Sequence, residues 1–372
     1  MRNNEINKQR YFVNLDAMRF YAAVAVLLFH YFSFLEQNDL FSNALNYLKP
    51  LVSKGHLGVN FFFVLSAFLI SLLVFREIEK NGNFSIRYFL IRRTLRIWPL
   101  YFVVVGLSFW LVDQFPIYGE TKHDPIWFVF FLSNLGEIQN GLGDAYTQLT
   151  IPWSVSIEEQ FYLFWAFIIG GFSIKRKQSF LLFFGFLLLT SLGFQLLYYN
   201  EERILYYHTI PALTDLSIGA LTAYLFHFNF HKLVKYISFT KWKVYLIYFL
   251  ITLLILLKNK VFHYGYFIVI ERLFIAIAFA WIILHQIISS KSIKCKSRRL
   301  FTHFGKVSYG IYMYHCMTLF GVEVLFFHYE LGPQVIWLLL LASLATLIVS
   351  HLSYTYFESY FLRLKESFSK TY

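Results

Sequence analysis

The 372-residue sequence predicts an all-α integral membrane protein of about ten transmembrane helices, with N-terminus and C-terminus both cytoplasmic. Three observations carry that reading. Hydrophobic residues make up 58% of the chain and charged residues 15%, against about 25% charged in soluble domains. Apolar runs recur along the whole length, each near the ~20 residues that a spanning helix needs. Lysine and arginine are divided very unevenly between alternate loops.

Taken in order, the expected spans are 15–35, 57–75, 97–115, 152–172, 178–198, 211–228, 243–259, 266–288, 304–327 and 334–358. The first run lacks a small-residue cleavage site and reads as a span rather than a cleavable signal. Counting loops alternately from a cytoplasmic N-terminus, with the span-end residues Lys243, Lys258 and Lys306 assigned to their adjoining loops, places 25 of the 33 basic residues inside and six outside, and Arg19 and Arg272 are left within spans. This is a positive-inside pattern. It accounts for the net charge of +12 without a nucleic-acid partner. The spans consume the chain, so residues 1–372 are expected to form a single transmembrane domain with no added extracytoplasmic domain. The longest connection, about 116–151, is placed outside, and its stretch Trp127 to Leu132 is too short to cross. The two cysteines give no disulfide framework: Cys295 lies in a basic cytoplasmic loop and Cys316 within a span. No zinc-like Cys/His spacing and no Gly-rich phosphate loop is present, so no metal is expected.

Ionisable residues inside these spans are the candidates for chemistry, because charge at membrane depth is costly and usually faces a polar interior. Arg19 and His30 are eleven residues apart on the first span. Eleven residues make about three helical turns, so both share one face, roughly 16 Å apart. An imidazole can take a proton from an attacking hydroxyl near neutral pH. A histidine hydrogen-bonded between helices is the plainer reading of His30, and the co-facial Arg19 favours function. His315, with Tyr312 three residues earlier, enters from the same side and should reach a similar depth. Glu158 and Glu159 enter from the other side, some 9 Å past Pro152, and would otherwise be span caps. Depth counts bring His30, His315 and one of the two glutamates to the same layer of the membrane. Arg92, Arg93 and Arg96 fall at helical spacings on the cytoplasmic side. Guanidinium groups suit phosphates, including those of coenzyme A, although a basic flank there could serve topology alone. Asp215, Glu271 and Arg272 read as a structural ion pair in the outer part of the spans.

Five stretches, in order, make the chain resemble the acyltransferase family 3 membrane proteins. They are Leu15 to Arg19 with His30, Gly58 to Ile70, Arg92 to Tyr101, Trp153 to Trp165, and Gly305 to His315. Weaker echoes are Asp215 to Leu221 and Glu358. Ala67, Ala166 and Asn60 depart from residues that the family often carries there. The resemblance implies ten spans and transfer of an acyl group, usually acetyl from cytoplasmic acetyl-CoA, to a hydroxyl of a cell-surface or lipid-linked sugar. It implies an arginine-to-histidine motif at Arg19 and His30 and a paired-arginine motif at Arg93 and Arg96. On that basis Arg19, Arg93 and Arg96 are expected to bind acyl-CoA. His30 is expected as base or acyl carrier, Glu158 or Glu159 as the group positioning it or the acceptor, and His315 as an assisting residue. The expected location is a bacterial-type cytoplasmic membrane. The acyl group would go to the acceptor directly or through a partner protein. A transporter or flippase for a lipid-linked glycan is the rival reading, since intramembrane His, Glu and Arg could form a proton relay.

Overall fold

In the computed structural model, residues 11–37, 47–115, 124–140, 149–170, 177–262, 265–289, 299–328 and 335–368 are described. The basic segments 171–176 and 290–298, the latter holding Cys295, lie outside them. Among the described residues there is no strand. Ten helices reach 18 residues or more: α1 (Val13–Gln37), α2 (Leu57–Asn81), α3 (Ile86–Gln114), α4 (Trp153–Gly170), α5 (Lys177–Leu197), α6 (Thr209–Phe228), α7 (Lys241–Val261), α8 (Phe267–Ile288), α9 (Ser308–His328) and α10 (Val335–Leu352). Each coincides with one expected span.

Among the described residues, eight helical segments are long and apolar enough to cross a membrane. Those of α4 and α9 are not among them, and these two helices carry Glu158, Glu159 and His315. Large apolar side chains stand exposed along the others, for example Leu182, Phe186 and Leu189 on α5 and Trp242, Tyr245 and Phe249 on α7. A surface this apolar is suited to lipid rather than water. The chain is an integral membrane protein.

Two boundaries differ from expectation for physical reasons. Helix α3 begins at Ile86, eleven residues before the apolar run, so Arg92, Arg93 and Arg96 are helical, as their spacing predicts, and belong to the spanning helix itself rather than to the connection before it. Its 29 residues make it about 43 Å long, more than a hydrocarbon core of about 30 Å. A hydropathy reading sees only the apolar part. The last span also continues beyond α10, through a π-helical turn Ser353–Glu358 into a final helix Ser359–Ser367. In the connection after α3, two short helices, Pro125–Val129 and Ser133–Asn140, flank Phe131. Asp124 caps the first, accepting from the Ile126 amide at 2.9 Å.

The described chain divides into two compact units, each assembled from three separate stretches of sequence. The first comprises residues 1–22, 57–84 and 167–305. Its core is α6 lying against α2, α5 and α8. A Cβ at Gly219 would sit 2.3 Å from the Val64 carbonyl oxygen, so glycine is what allows α6 and α2 to approach this closely. The buried Asp215 carboxylate accepts from Asn60 at 2.9 Å and from Arg272 Nε at 2.7 Å. Arg272 also donates to the Leu205 carbonyl, and Lys258 pairs with Glu271 at 2.6 Å. Buried charges must be matched in this way, and the Asp215–Arg272 pair is the structural one expected.

The second unit comprises residues 23–56, 85–166 and 306–372. Here α9 lies along α10, and α3 contacts both α9 and the final helix. This unit contains every proposed site residue except Arg19.

Candidate active site

The site grows from α1 and α9. His30 and His315, 285 positions apart, meet with Nδ1 of His30 and Nε2 of His315 at 3.0 Å. Their other contacts fix where the protons lie. Nδ1 of His315 is 2.6 Å from the Tyr312 carbonyl oxygen. A carbonyl only accepts, so this Nδ1 carries the proton and His315 Nε2 the lone pair. That lone pair takes the proton of His30 Nδ1, which also faces the Val26 carbonyl at 3.1 Å. Assigned from the network in this way, neutral His30 holds its lone pair on Nε2. Nε2 is therefore the atom of His30 able to accept a proton.

Hydroxyl groups hold the backbone beneath this pair. Tyr31 Oη donates to the His315 carbonyl at 3.2 Å and lies 2.9 Å from Thr346 Oγ1. Thr318 Oγ1 reaches the same carbonyl at 3.0 Å and Thr346 at 2.6 Å, and Thr346 donates to the Ala342 carbonyl at 2.7 Å. The Tyr312 hydroxyl lies 2.6 Å from Ser154 Oγ of α4. That contact fixes α9 against the helix that carries the carboxylates.

One turn beyond Ser154, Glu158 accepts from the Tyr162 hydroxyl. Glu159 Oε2 accepts from Trp98 Nε1 at 2.9 Å, while its buried Oε1 has no partner among the described residues. Arg93 lies with its guanidinium carbon 5.5 Å from the ring centroids of Phe89 and Tyr162, within electrostatic reach of Glu158. The glutamates are thus placed beside Trp98, Tyr162 and Arg93, and are linked to the histidines through α4 and Tyr312. Around them, Gln160 Nε2 donates to the Phe131 carbonyl at 2.7 Å and to Asn134 Oδ1 at 2.8 Å. Phe131 takes φ 54°, a left-handed conformation uncommon for a bulky residue. Its ring lies 4.5 Å from that of Tyr101 and 5.3 Å from that of Trp98, centroid to centroid. These contacts hold a backbone that would otherwise relax.

Arg96 lies one turn past Arg92 on α3, and Glu358 of the π-helical turn is within its electrostatic reach. Arg19 belongs to the first unit, where its Nη1 pairs with Asp16 at 3.2 Å. Asp16 also accepts from the Tyr11 hydroxyl. The donor atoms of His30, His315 and Cys316 all lie within 4.8 Å of one another. That trio has the ligand chemistry of a soft divalent cation, which Cys/His spacing along the sequence does not reveal.

The family described as an acyltransferase domain, acyltransferase family 3, matches residues 12–355. A Staphylococcus aureus (strain COL) protein provisionally named an O-acetyltransferase is 28% identical over 374 aligned positions, covering 95% of this chain and 58% of its own length. The O-acetyltransferase OatA of Staphylococcus aureus (strain NCTC 8325) is 26% identical, covering 94% of this chain and 57% of its own. The chain therefore spans a little over half the length of these relatives. No solved structure matches. The match over almost the whole described chain, taken with the helices and the paired histidines, means that this protein belongs to acyltransferase family 3.

Proposed function

We propose that the protein is a membrane O-acyltransferase that moves an acyl group, acetyl by analogy with the O-acetyltransferase relatives, from acyl-CoA to a hydroxyl of a cell-surface or lipid-linked sugar. The observation that carries the reading is the His30–His315 pair, whose hydrogen bonds leave Nε2 of His30 as the proton acceptor. His30 takes the acceptor hydroxyl proton as the oxygen attacks the thioester carbonyl. The C–S bond breaks, and the departing coenzyme A thiolate receives the proton from the imidazolium. His315 accepts from the opposite nitrogen, and that bond strengthens as His30 becomes charged. Arg93 and Arg96 hold the phosphates of coenzyme A, and Glu158 or Glu159 orients the acceptor or neutralises charge beside Arg93. Holding thioester and hydroxyl together supplies several kcal/mol of the barrier, as proximity does in general. The assignment of Arg19 to acyl-CoA rests on the resemblance alone. Ten spans with both termini cytoplasmic, in a cytoplasmic membrane, complete the reading, with the acyl group going to the acceptor directly or through a partner protein.

The test is acetyl transfer by purified protein, with radiolabelled acetyl-CoA and a glycan acceptor. His30→Ala should lower the rate by at least about 10²–10⁴-fold, the usual worth of a general base, while the protein stays folded. His30→Gln should not rescue. A His30→Ala protein that transfers at the normal rate would refute the assignment. Absence of any acetyl-CoA-dependent product would favour the transporter reading.

A further inference from the structure

The final helix Ser359–Ser367 lies against α3, and Arg92 Nη1 donates to the Phe368 carbonyl at its end at 3.2 Å. Its covered residues form one stripe. Phe357, Glu358, Phe361, Leu362, Lys365 and Phe368 are buried or half-buried, whereas Tyr360, Arg363, Leu364, Glu366 and Ser367 are exposed. The spacing is that of an amphipathic helix whose covered face should be apolar. Lys365 breaks that rule. A lysine serving only as a basic flank would stand beside Arg363, on the water side, at no cost.

The neighbours make the placement more telling. Lys365 is within electrostatic reach of Arg96, Arg93 and Arg92, so four cations converge where the final helix meets α3. Glu358 is within electrostatic reach of Arg96, Glu158 of Arg93 and Glu366 of Lys365. Arg93 Nε is buried with no partner among the described residues, a donor with capacity for an anion. Arginine forks and a lysine point charge together suit a group with several phosphates.

We infer that Lys365, carried on the final helix, completes with Arg92, Arg93 and Arg96 a four-cation site for the phosphates at the nucleotide end of acyl-CoA. The inference rests on the acyl-CoA reading above and adds to it a residue and an element beyond the last span. The final helix is then a wall of the donor site, and Glu358 positions Arg96 within it. The phosphate of an anionic membrane lipid has the same chemistry and is the competing source.

The experiment measures binding by calorimetry in nanodiscs of phosphatidylcholine alone, with acetyl-CoA and with its analogue lacking the 3′-phosphate. The proteins are wild type, Lys365→Gln, Lys365→Arg and Arg93→Ala, each checked for the same melting profile. Lys365→Gln should weaken acetyl-CoA binding about 10- to 100-fold, the worth of one charge-assisted contact. Lys365→Arg should stay within about threefold, because the charge is kept. Both ligands should be weakened if Lys365 faces the diphosphate, and only acetyl-CoA if it faces the 3′-phosphate. Unchanged affinity in Lys365→Gln alongside weakened affinity in Arg93→Ala overturns the inference and leaves the donor reading intact. Loss of copurified lipid phosphate from Lys365→Gln with unchanged acetyl-CoA affinity also overturns it and assigns the lysine to lipid. A wild-type protein that binds no acetyl-CoA removes the reading on which the inference stands.

Discussion

Replacing His315 separates the two imidazoles by role. His315→Ala removes the Nε2 acceptor 3.0 Å from His30 Nδ1 and keeps the Val26 carbonyl oxygen at 3.1 Å. In the resting enzyme that loss is one neutral hydrogen bond, about 0.5–1.5 kcal/mol. In the proposed reaction His30 becomes a cation as it accepts the proton, and the same bond is then worth about 1.5–3 kcal/mol. The transition state loses the difference, about 1–1.5 kcal/mol, or roughly tenfold in rate. Freedom of the His30 ring to turn should extend this towards a hundredfold. His315→Gln should stay within about threefold of wild type, because a glutamine oxygen can accept from the position of the histidine Nε2. The assay is steady-state acetyl transfer with His30→Ala alongside, and thermal unfolding as a control. A His315→Ala defect as deep as that of His30→Ala would show that His315 does more than orient its partner. An undiminished rate, or a glutamine variant no better than the alanine one, would refute the proton assignment.

Other outcomes follow from the same structure. Micromolar Zn²⁺ should inhibit transfer reversibly by engaging His30, His315 and Cys316, and Cys316→Ser should need at least about tenfold more metal, since thiolate is the stronger ligand; equal sensitivity would remove Cys316 from the trio. Trp98→Phe deletes the 2.9 Å bond to Glu159, whose Oε1 already lacks a partner among the described residues. It should therefore lower stability by about 1–3 kcal/mol, read as a reduced melting temperature in detergent, and an unchanged melt would mean that water serves Glu159 equally well. A single cysteine placed near residue 176 should react only with membrane-permeant reagent, as the basic residues there imply; labelling from outside would sink the ten-span topology.

Much of this was legible before the structure. Apolar runs of near-uniform length located all ten long helices, because spanning a bilayer imposes length and composition directly. Depth counting brought His30 and His315 together, since a helix rises by a fixed amount per residue. What escaped the sequence was of three kinds. The first three turns of α3 fell outside the expected span because Arg87, Arg92, Arg93 and Arg96 depress hydropathy, although the helical spacing of the last three was already visible. Lys365 was counted with the basic C-terminal flank, although Phe361, Leu362, Lys365 and Phe368 follow a helical stripe that could have been read. The brace of Tyr31, Thr318 and Thr346 had no local signal, since its contacts join residues as many as 315 positions apart. Arg19 is instructive in the other direction. Its eleven-residue spacing to His30 drew attention, and the structure adds a contact with Asp16, three residues before it.

The brace has a further consequence, for proton traffic. Its hydroxyls reach His315 at the backbone oxygen, while the ring Nδ1 of His315 is closed by the Tyr312 carbonyl. Carbonyl oxygens cannot pass a proton onward. The hydroxyl chain stiffens α9 and offers no proton exit through the Nδ1 side of His315. In the proposed reaction a proton taken on His30 Nε2 must therefore leave from that same nitrogen, the side on which the departing sulfur would lie, and not through the imidazole pair.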